Sequence, residues 1–160
     1  MILITEFMDE VAVKKLKELY DVTYDSSLFE DQAAIYNIIE DAKAIIVRNR
    51  TLITRNLLDK APQLSCVGRL GVGLDNIDVR ACKEKNITVY PATGANSNSV
   101  SEYVICAAMI LLRSAFSKKQ EMLSGFWPRE QSCGLEINGK IMGLIGFGEI
   151  AQRTRSIAVS

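Results

Sequence analysis

The sequence contains no histidine, so it lacks the side chain that most often acts as general acid or base and that most often ligates metals. Its four cysteines, Cys66, Cys82, Cys106 and Cys133, lie far apart and form no CxxC motif. This spacing favours neither a zinc site nor a disulfide framework. We therefore expect no metal site, and we expect reduced thiols in a cytoplasmic protein.

The sequence also lacks any excess of charge and any long apolar run. Nineteen basic residues balance nineteen acidic residues, and no block of like charge is present. Proteins that bind nucleic acid or an anionic membrane carry a basic excess, so neither partner is expected. The longest apolar run, residues 103–112, is well short of the roughly 20 residues that cross a bilayer. Residues 1–5 carry no basic segment, and we expect no signal peptide.

Short apolar stretches alternate with helical patterns along most of the chain. Strands are predicted at residues 2–4, 22–24, 44–47, 64–67 and 87–90, and helices at 9–19, 32–39, 56–60 and 77–85. This alternation is typical of an α/β fold with a parallel sheet. A long helix is predicted over residues 99–118, opened by a capping box of Ser99 and Glu102.

Ligands bind at the carboxyl ends of the strands in open α/β sheets, and this rule singles out the loop after the third strand. Arg48, Arg50 and Thr51 lie in that loop. Arginine forms bidentate, charge-assisted hydrogen bonds with carboxylate and phosphate, so the loop is a candidate anion site. A pair of solvated surface arginines is the alternative interpretation.

The loop after the fourth strand, residues 68–76, is rich in glycine. Glycines allow backbone amides to approach an anionic ligand closely, which makes this loop a second candidate. The alternative is a tight turn in which Asp75 or Asn76 caps the next helix. A third loop, residues 91–98, holds small polar residues and by itself indicates only a turn into a helix.

A dinucleotide-binding fingerprint follows near residue 146. The apolar segment 141–145 is predicted as a strand, and Gly146, Gly148 and Ala151 come next at the spacing of a Gly-x-Gly-x-x-Ala turn that opens a helix. Gly146 permits the tight turn, and Gly148 lets the backbone approach a pyrophosphate. The free amides and the dipole of the helix N-terminus favour negative charge there.

Taken together, these segments resemble the D-isomer-specific 2-hydroxyacid dehydrogenases, especially their phosphoglycerate dehydrogenase-like branch. The resemblance rests on residues 46–51, 68–78, 96–102 and 135–151, which match in order and spacing. It implies a flavodoxin-like, parallel-sheet substrate domain and a Rossmann NAD-binding domain. It also implies hydride transfer between NAD and a small 2-hydroxy or 2-keto acid, such as a 3-phosphoglycerate-like substrate, with the choice between NAD and NADP left open. The long helix is implied to form a homodimer.

The resemblance assigns roles to residues of the first two loops. Arg48 matches a substrate-contacting arginine, and Leu70, Gly71, Val72 and Gly73 match the segment that holds the substrate carboxylate. Val72 also borders the nicotinamide by this resemblance. It replaces a threonine common in phosphoglycerate dehydrogenases, which leaves the substrate class open.

Further roles follow for the second half of the chain. By the same resemblance Gly146, Gly148, Glu149 and Ile150 bind the cofactor, the last two touching its pyrophosphate. Asn96 and Ser99 match a polar motif that anchors the long helix.

The family's catalytic arginine, glutamate and histidine match no residue up to Ser160, so we expect no catalytic residue in this chain. We expect residues 1–98 to form the substrate domain, and residues 99–160 to form the long helix and the start of the cofactor domain. The chain is then expected to be a truncated, inactive copy of such an enzyme. The alternative is a non-catalytic binding or dimerisation module derived from that family.

Overall fold

The structure is a computed structural model that describes residues 1–159, with only the backbone described for residues 115 and 116. The chain divides into two compact units, Met1–Thr93 and Gly94–Ser160. Their assignment as a substrate domain and the start of a cofactor domain stays a prediction from the sequence.

The first unit alternates strands and helices, as the sequence predicts. Its strands are β1 (Ile2–Ile4), β2 (Val22–Tyr24), β3 (Ala44–Val47), β4 (Cys66–Arg69) and β5 (Thr88–Pro91). Its helices are α1 (Glu10–Leu19), α2 (Gln32–Ile38), α3 (Arg55–Asp59) and α4 (Val79–Glu84), with 3-10 turns at Leu28–Glu30 and Ile39–Asp41. The main shift concerns β4, which begins at Cys66 rather than at residue 64.

The five strands form one sheet in the order β2-β1-β3-β4-β5, and every pair of neighbours is parallel. This is the flavodoxin-like order of doubly wound sheets. The α/β class and the flavodoxin-like expectation are therefore confirmed.

A row of apolar side chains across the sheet forms its buried centre. Leu3 pairs with Ile45, Ile45 with Val67, and Val67 with Val89. Leu3, Ile45 and Val67 are fully buried. Apolar residues dominate because parallel strands are covered by helices on both faces.

Four helices of the first unit begin at a side chain that accepts a hydrogen bond from a backbone amide of the first turn. These N-caps are Asp9, Asp31, Thr54 and Asp78. Each satisfies one of the amides that an α-helix leaves free at its start. Asp78, rather than Asp75 or Asn76, therefore caps α4, and Asn76 is free for another role.

The second unit contains α5 (Ser97–Arg113), α6 (Lys119–Leu123) and α7 (Glu149–Ala158), with 3-10 turns at Ala115–Lys118 and Glu130–Ser132. The predicted capping box is wrong, because α5 starts two residues before Ser99 and its N-cap Asn96 makes no side-chain cap hydrogen bond. The helix also ends before residue 118. Ser114 adopts a left-handed conformation with φ of 54°, which an α-helix cannot continue. Among the described residues no helix has the length and hydrophobicity to cross a membrane.

The strand predicted at residues 141–145 is wrong, since the structure has no strand there. A strand needs a neighbouring strand for its backbone amides and carbonyls, and no described residue pairs with this segment. Its side chains face solvent, with Ile141 at 98% and Ile145 at 108% exposure. Of the predicted strand-turn-helix, the structure contains the turn and the helix.

Helices α5 and α7 pack against each other through small polar residues. Ser97, Ser101 and Thr154 are all buried. The hydroxyl of Ser101 lies 2.8 Å from the carbonyl oxygen of Ser97 and 3.1 Å from that of Ile150. Small side chains let the two helices approach closely, and these hydrogen bonds satisfy the buried hydroxyl.

Candidate functional site

The loops after β3 and β4 lie side by side at the carboxyl edge of the sheet, as the sequence predicts. The amide of Leu70 donates to the carbonyl of Val47 at 2.8 Å. The side-chain amide of Asn76 donates to the carbonyls of Arg48 at 3.1 Å and Thr51 at 2.7 Å. The two loops therefore form one connected structure.

The start of the third loop joins the same edge. The amide of Ala92 lies 3.0 Å from the carbonyl oxygens of both Arg69 and Gly71. Three consecutive strand ends of the first unit thus contribute to one surface, which is where a ligand binds in this class of sheet.

Glu6, which follows β1, organises the loop that carries the two arginines. One carboxylate oxygen accepts the amides of Arg48 at 2.8 Å and Thr51 at 3.0 Å. The other accepts the amides of Asn49 at 3.2 Å and Arg50 at 3.1 Å. A carboxylate has about four lone-pair sites, so this one is saturated. Glu6 is 3% exposed.

The protonation of Glu6 reflects two opposing effects. Burial raises the pKa of Glu6, but the amides of Thr51, Arg48 and Arg50 stabilise the charged form, and the net effect is a lowered pKa. The side chain is therefore a buried carboxylate anion at neutral pH. Its charge is balanced by backbone dipoles rather than by a cationic side chain.

Arg48 and Arg50 are exposed, and each lies near an aromatic ring. The guanidinium carbon of Arg48 lies 5.7 Å from the centre of the Phe7 ring, and that of Arg50 lies 3.9 Å from the centre of the Phe29 ring. Such cation–π contacts orient a guanidinium without neutralising its charge. Neither arginine forms a salt bridge with any described residue. Both charges are available to an anion.

The predicted carboxylate-binding segment follows β4 directly. Leu70 is half-buried, and Gly71 has a φ of 154°, which favours glycine. The guanidinium of Arg69 lies over Gly71 and donates to the carbonyl of Leu70 at 3.0 Å. Val72 and Gly73 are exposed, and their amides donate to no acceptor in the described part of the chain. These two amides can receive a carboxylate.

Of the residues predicted to bind the cofactor, Val72 lies in the first unit, and Gly146, Gly148, Glu149 and Ile150 lie in the second. Gly146 has a φ of 86°, and an added Cβ at Gly146 or Gly148 would meet nothing within 4 Å. Gly148 precedes α7 with an extended backbone, and no side chain caps the helix. The free amides in the first turn of α7 and the open space at the two glycines fit a pyrophosphate, so this segment is compatible with a bound dinucleotide.

Glu149 and Ile150 form the first turn of α7. Glu149 places a negative charge beside the turn expected to bind a pyrophosphate, and Arg153 compensates for it. Nε and Nη2 of Arg153 lie 3.2 and 3.0 Å from one carboxylate oxygen of Glu149. Nη1 of Arg153 donates to the side-chain oxygen of Asn98 at 2.7 Å. Arg153 therefore also ties α7 to the start of α5.

Sequence reasoning missed Glu6, Arg69 and the role of Asn76. One signal was present for Glu6, an acidic residue directly after a buried strand at the same sheet edge as the arginines. It would have suggested an ion pair with Arg48 rather than the four amide bonds. Within residues 1–159 no cluster of histidine, cysteine, aspartate or glutamate could hold a metal ion.

Comparison with known proteins identifies the family. The family profile of the D-isomer specific 2-hydroxyacid dehydrogenase, catalytic domain, matches residues 2–158. The chain belongs to this family. This confirms the resemblance drawn from the sequence.

Individual relatives are longer than this chain. The (S)-sulfolactate dehydrogenase of Chromohalobacter salexigens is 49% identical over 151 residues, covering 94% of this chain and 49% of that protein. The D-3-phosphoglycerate dehydrogenase of Methanocaldococcus jannaschii is 37% identical over 152 residues, covering 95% of this chain and 29% of that protein. The chain thus spans half or less of the length of these relatives.

A solved structure also matches the chain. The NAD-dependent formate dehydrogenase of Staphylococcus aureus, in complex with NAD, superposes with a TM-score of 0.76 at 25% identity. The match covers 98% of this chain and 53% of that one.

Proposed function

We propose that this chain supplies the substrate-binding loops and the dinucleotide-binding turn of an oxidoreductase that transfers a hydride between NAD or NADP and a small 2-hydroxy or 2-keto acid. The observation that carries the proposal lies at one sheet edge. Two arginines that form no salt bridge with any described residue stand beside a glycine loop in which the amides of Val72 and Gly73 donate to no described acceptor. The names of its relatives as dehydrogenases support the same reaction class.

The residues divide the binding task in this proposal. Arg48 and the amides of Val72 and Gly73 receive the carboxylate of the acid, because cations and free amides both stabilise an anion. The backbone from Gly146 to Ile150 holds the cofactor's pyrophosphate at the start of α7. The bound nicotinamide supplies the hydride acceptor or donor. As part of the proposal, the 160-residue chain alone binds the acid without turning it over, because its sequence has no histidine to move the proton.

The substrate in this proposal carries a second anionic group besides its carboxylate, as a 3-phosphoglycerate-like acid does. Arg50 is exposed and oriented on the Phe29 ring, so the loop offers a second guanidinium beside Arg48. Two relatives are named for acids of this kind, sulfolactate and 3-phosphoglycerate.

Isothermal titration of the 160-residue chain with sulfolactate, 3-phosphoglycerate and D-lactate tests the substrate class. We expect sulfolactate and 3-phosphoglycerate, which carry a second anionic group, to bind at least about tenfold more tightly than lactate. We expect Arg48→Gln to weaken their binding by about 10- to 100-fold, the cost of one charge-assisted contact. Arg80→Gln is the matched control, because Arg80 is an exposed arginine of α4. If lactate binds as tightly as the two acids with a second anionic group, the proposed substrate class is wrong. If none of the three acids binds, the proposed function is wrong.

Turnover is tested by following NADH fluorescence with NAD and each acid. No signal above buffer is expected from the 160-residue chain. Sustained NADH production would show that the chain needs no further residues for catalysis.

We further propose a homodimer formed through α5. Tyr103, Ile110 and Leu111 are 74%, 39% and 81% exposed, and their spacing places them on one face of this helix. A contiguous apolar patch of this kind often marks an interface. Sedimentation velocity should give a dimer for the unchanged chain and a monomer for Leu111→Glu. A monomer at all concentrations for the unchanged chain contradicts this assignment.

The same proposal places the protein in the cytoplasm, which its four free cysteines support.

A further inference from the structure

A buried carboxylate close to two arginines is expected to pair with them. Glu6 does not, because its four lone-pair sites are filled by the amides of residues 48–51. Arg48 and Arg50 consequently keep their full charge for an external anion.

The conformation of the loop at residues 48–51 depends on side chains from elsewhere in the chain. The amides of residues 48–51 find no backbone acceptor in the described part of the chain, and these residues belong to no helix or strand. Their amides donate to the carboxylate of Glu6, and the side-chain amide of Asn76 donates to the carbonyls of Arg48 and Thr51. Two side chains from other loops therefore fix the backbone.

Four convergent amides form an anion-binding concavity of the kind that often receives a phosphate. Here the chain fills it with its own carboxylate, which is 3% exposed. A ligand therefore has access to the guanidiniums but not to this part of the backbone. The loop can therefore bind an anion only through its side chains. Glu6 fixes the position of the backbone that carries Arg48 and Arg50.

We propose that Glu6 is the positioning residue of the substrate loop, holding the backbone of residues 48–51 so that Arg48 and Arg50 meet the anionic groups of the acid. The inference rests on the proposed function, and it assigns to a residue outside the loop the control of how tightly the acid binds.

Amide hydrogen exchange followed by NMR tests the geometry in Glu6→Gln. One oxygen of the glutamine can still accept, but its nitrogen faces the amides of Asn49 and Arg50 as a donor. We expect exchange at residues 48–51 to accelerate at least about tenfold, while amides of β1 and β3 keep their protection. Glu10→Gln is the matched control, because Glu10 is an exposed glutamate in the first turn of α1 that loses the same charge.

Titration with sulfolactate tests the role of this geometry in binding. We expect about tenfold weaker binding for Glu6→Gln and no change for Glu10→Gln. Glu6→Asp keeps the charge but is one methylene shorter, so it should fall between the two. It also serves as the second variant if Glu6→Gln does not fold.

The outcomes separate the two proposals. If the unchanged chain binds sulfolactate and the Glu6 variants bind it within about twofold while their loop exchange is accelerated, Glu6 is merely structural and the inference is wrong. Unchanged exchange at residues 48–51 also overturns it. If the unchanged chain binds none of the acids, the proposed function fails, and the positioning role fails with it.

Discussion

The replacement of Glu6 by glutamine gives the most specific prediction for the stability of the first unit. The substitution keeps the shape of the side chain and one acceptor oxygen. It removes the hydrogen bonds from the amides of Asn49 and Arg50, which donate to no other acceptor in the described residues. The perturbation is therefore confined to two bonds and one charge.

The expected loss of unfolding free energy follows from these contacts. A hydrogen bond to a charged group contributes about 1.5–3 kcal/mol, so two lost bonds cost about 3–6 kcal/mol. Burying a neutral amide is easier than burying a carboxylate, which offsets part of this cost. We expect a net loss of about 3 kcal/mol at neutral pH. For a chain of this length that lowers the Tm by about 6–12 °C.

The loss should depend on pH with a definite sign. The pKa of Glu6 in the folded chain lies below its ordinary value of 4.5. The carboxylate therefore contributes its full stability above that value, and the contribution is lost as the pH falls through the lower folded pKa. Glutamine does not titrate, so the gap between the two proteins should be constant from neutral pH to about pH 5 and should narrow at lower pH.

Urea unfolding followed by far-UV circular dichroism, repeated between neutral and acidic pH, measures this gap. Glu10→Gln is again the control. A gap below about 0.5 kcal/mol at neutral pH, or one that stays constant down to acidic pH, would refute the reasoning.

Three further predictions test other parts of the same sheet edge. Gly71→Ala should lose more than about 1 kcal/mol by urea unfolding, because alanine is strained at a φ of 154° and its Cβ collides with the guanidinium of Arg69; unchanged stability would argue against this backbone conformation. Asn76→Asp should lose about 2–3 kcal/mol in the same measurement, because a carboxylate would face two carbonyl oxygens; Asn76→Ala, which loses only the bonds, should be milder. Thr51→Val should lose about 1–3 kcal/mol, because it leaves the buried hydroxyl of Thr5 without its partner at 2.7 Å. The double variant Thr5→Val/Thr51→Val should recover most of that loss. Additive effects of the two substitutions would contradict the contact.

Residue patterns in the first unit were sufficient to predict the sheet. Continuous apolar runs such as residues 44–47 indicate buried parallel strands, and their alternation with helical patterns fixes the class. The position of Arg48 and Gly71 at one edge followed from the rule on strand ends. The contacts of Glu6 and Asn76 could not be predicted from local patterns. Glu6 binds residues 42 or more positions away, and Asn76 binds residues 25 and 28 positions away.

In the second unit, sequence patterns were not sufficient to predict the structure. The apolar segment 141–145 has the composition of a strand, but a strand forms only with a partner for its backbone, and none of the described residues supplies one. The end of α5 at Ser114 could not be predicted either, because serine has no strong conformational preference that marks the end of a helix.

Holding the loop from outside leaves residues 48–50 free to vary in chemistry. Glu6 accepts their amides, and Asn76 donates to the carbonyls of Arg48 and Thr51. No side chain of residues 48–50 is therefore needed to keep the loop folded. A protein built this way can exchange the groups that choose its ligand without rebuilding the frame that carries them. The loop is accordingly a natural place to redirect the chain towards acids of different charge or length, provided that the glutamate behind it is kept.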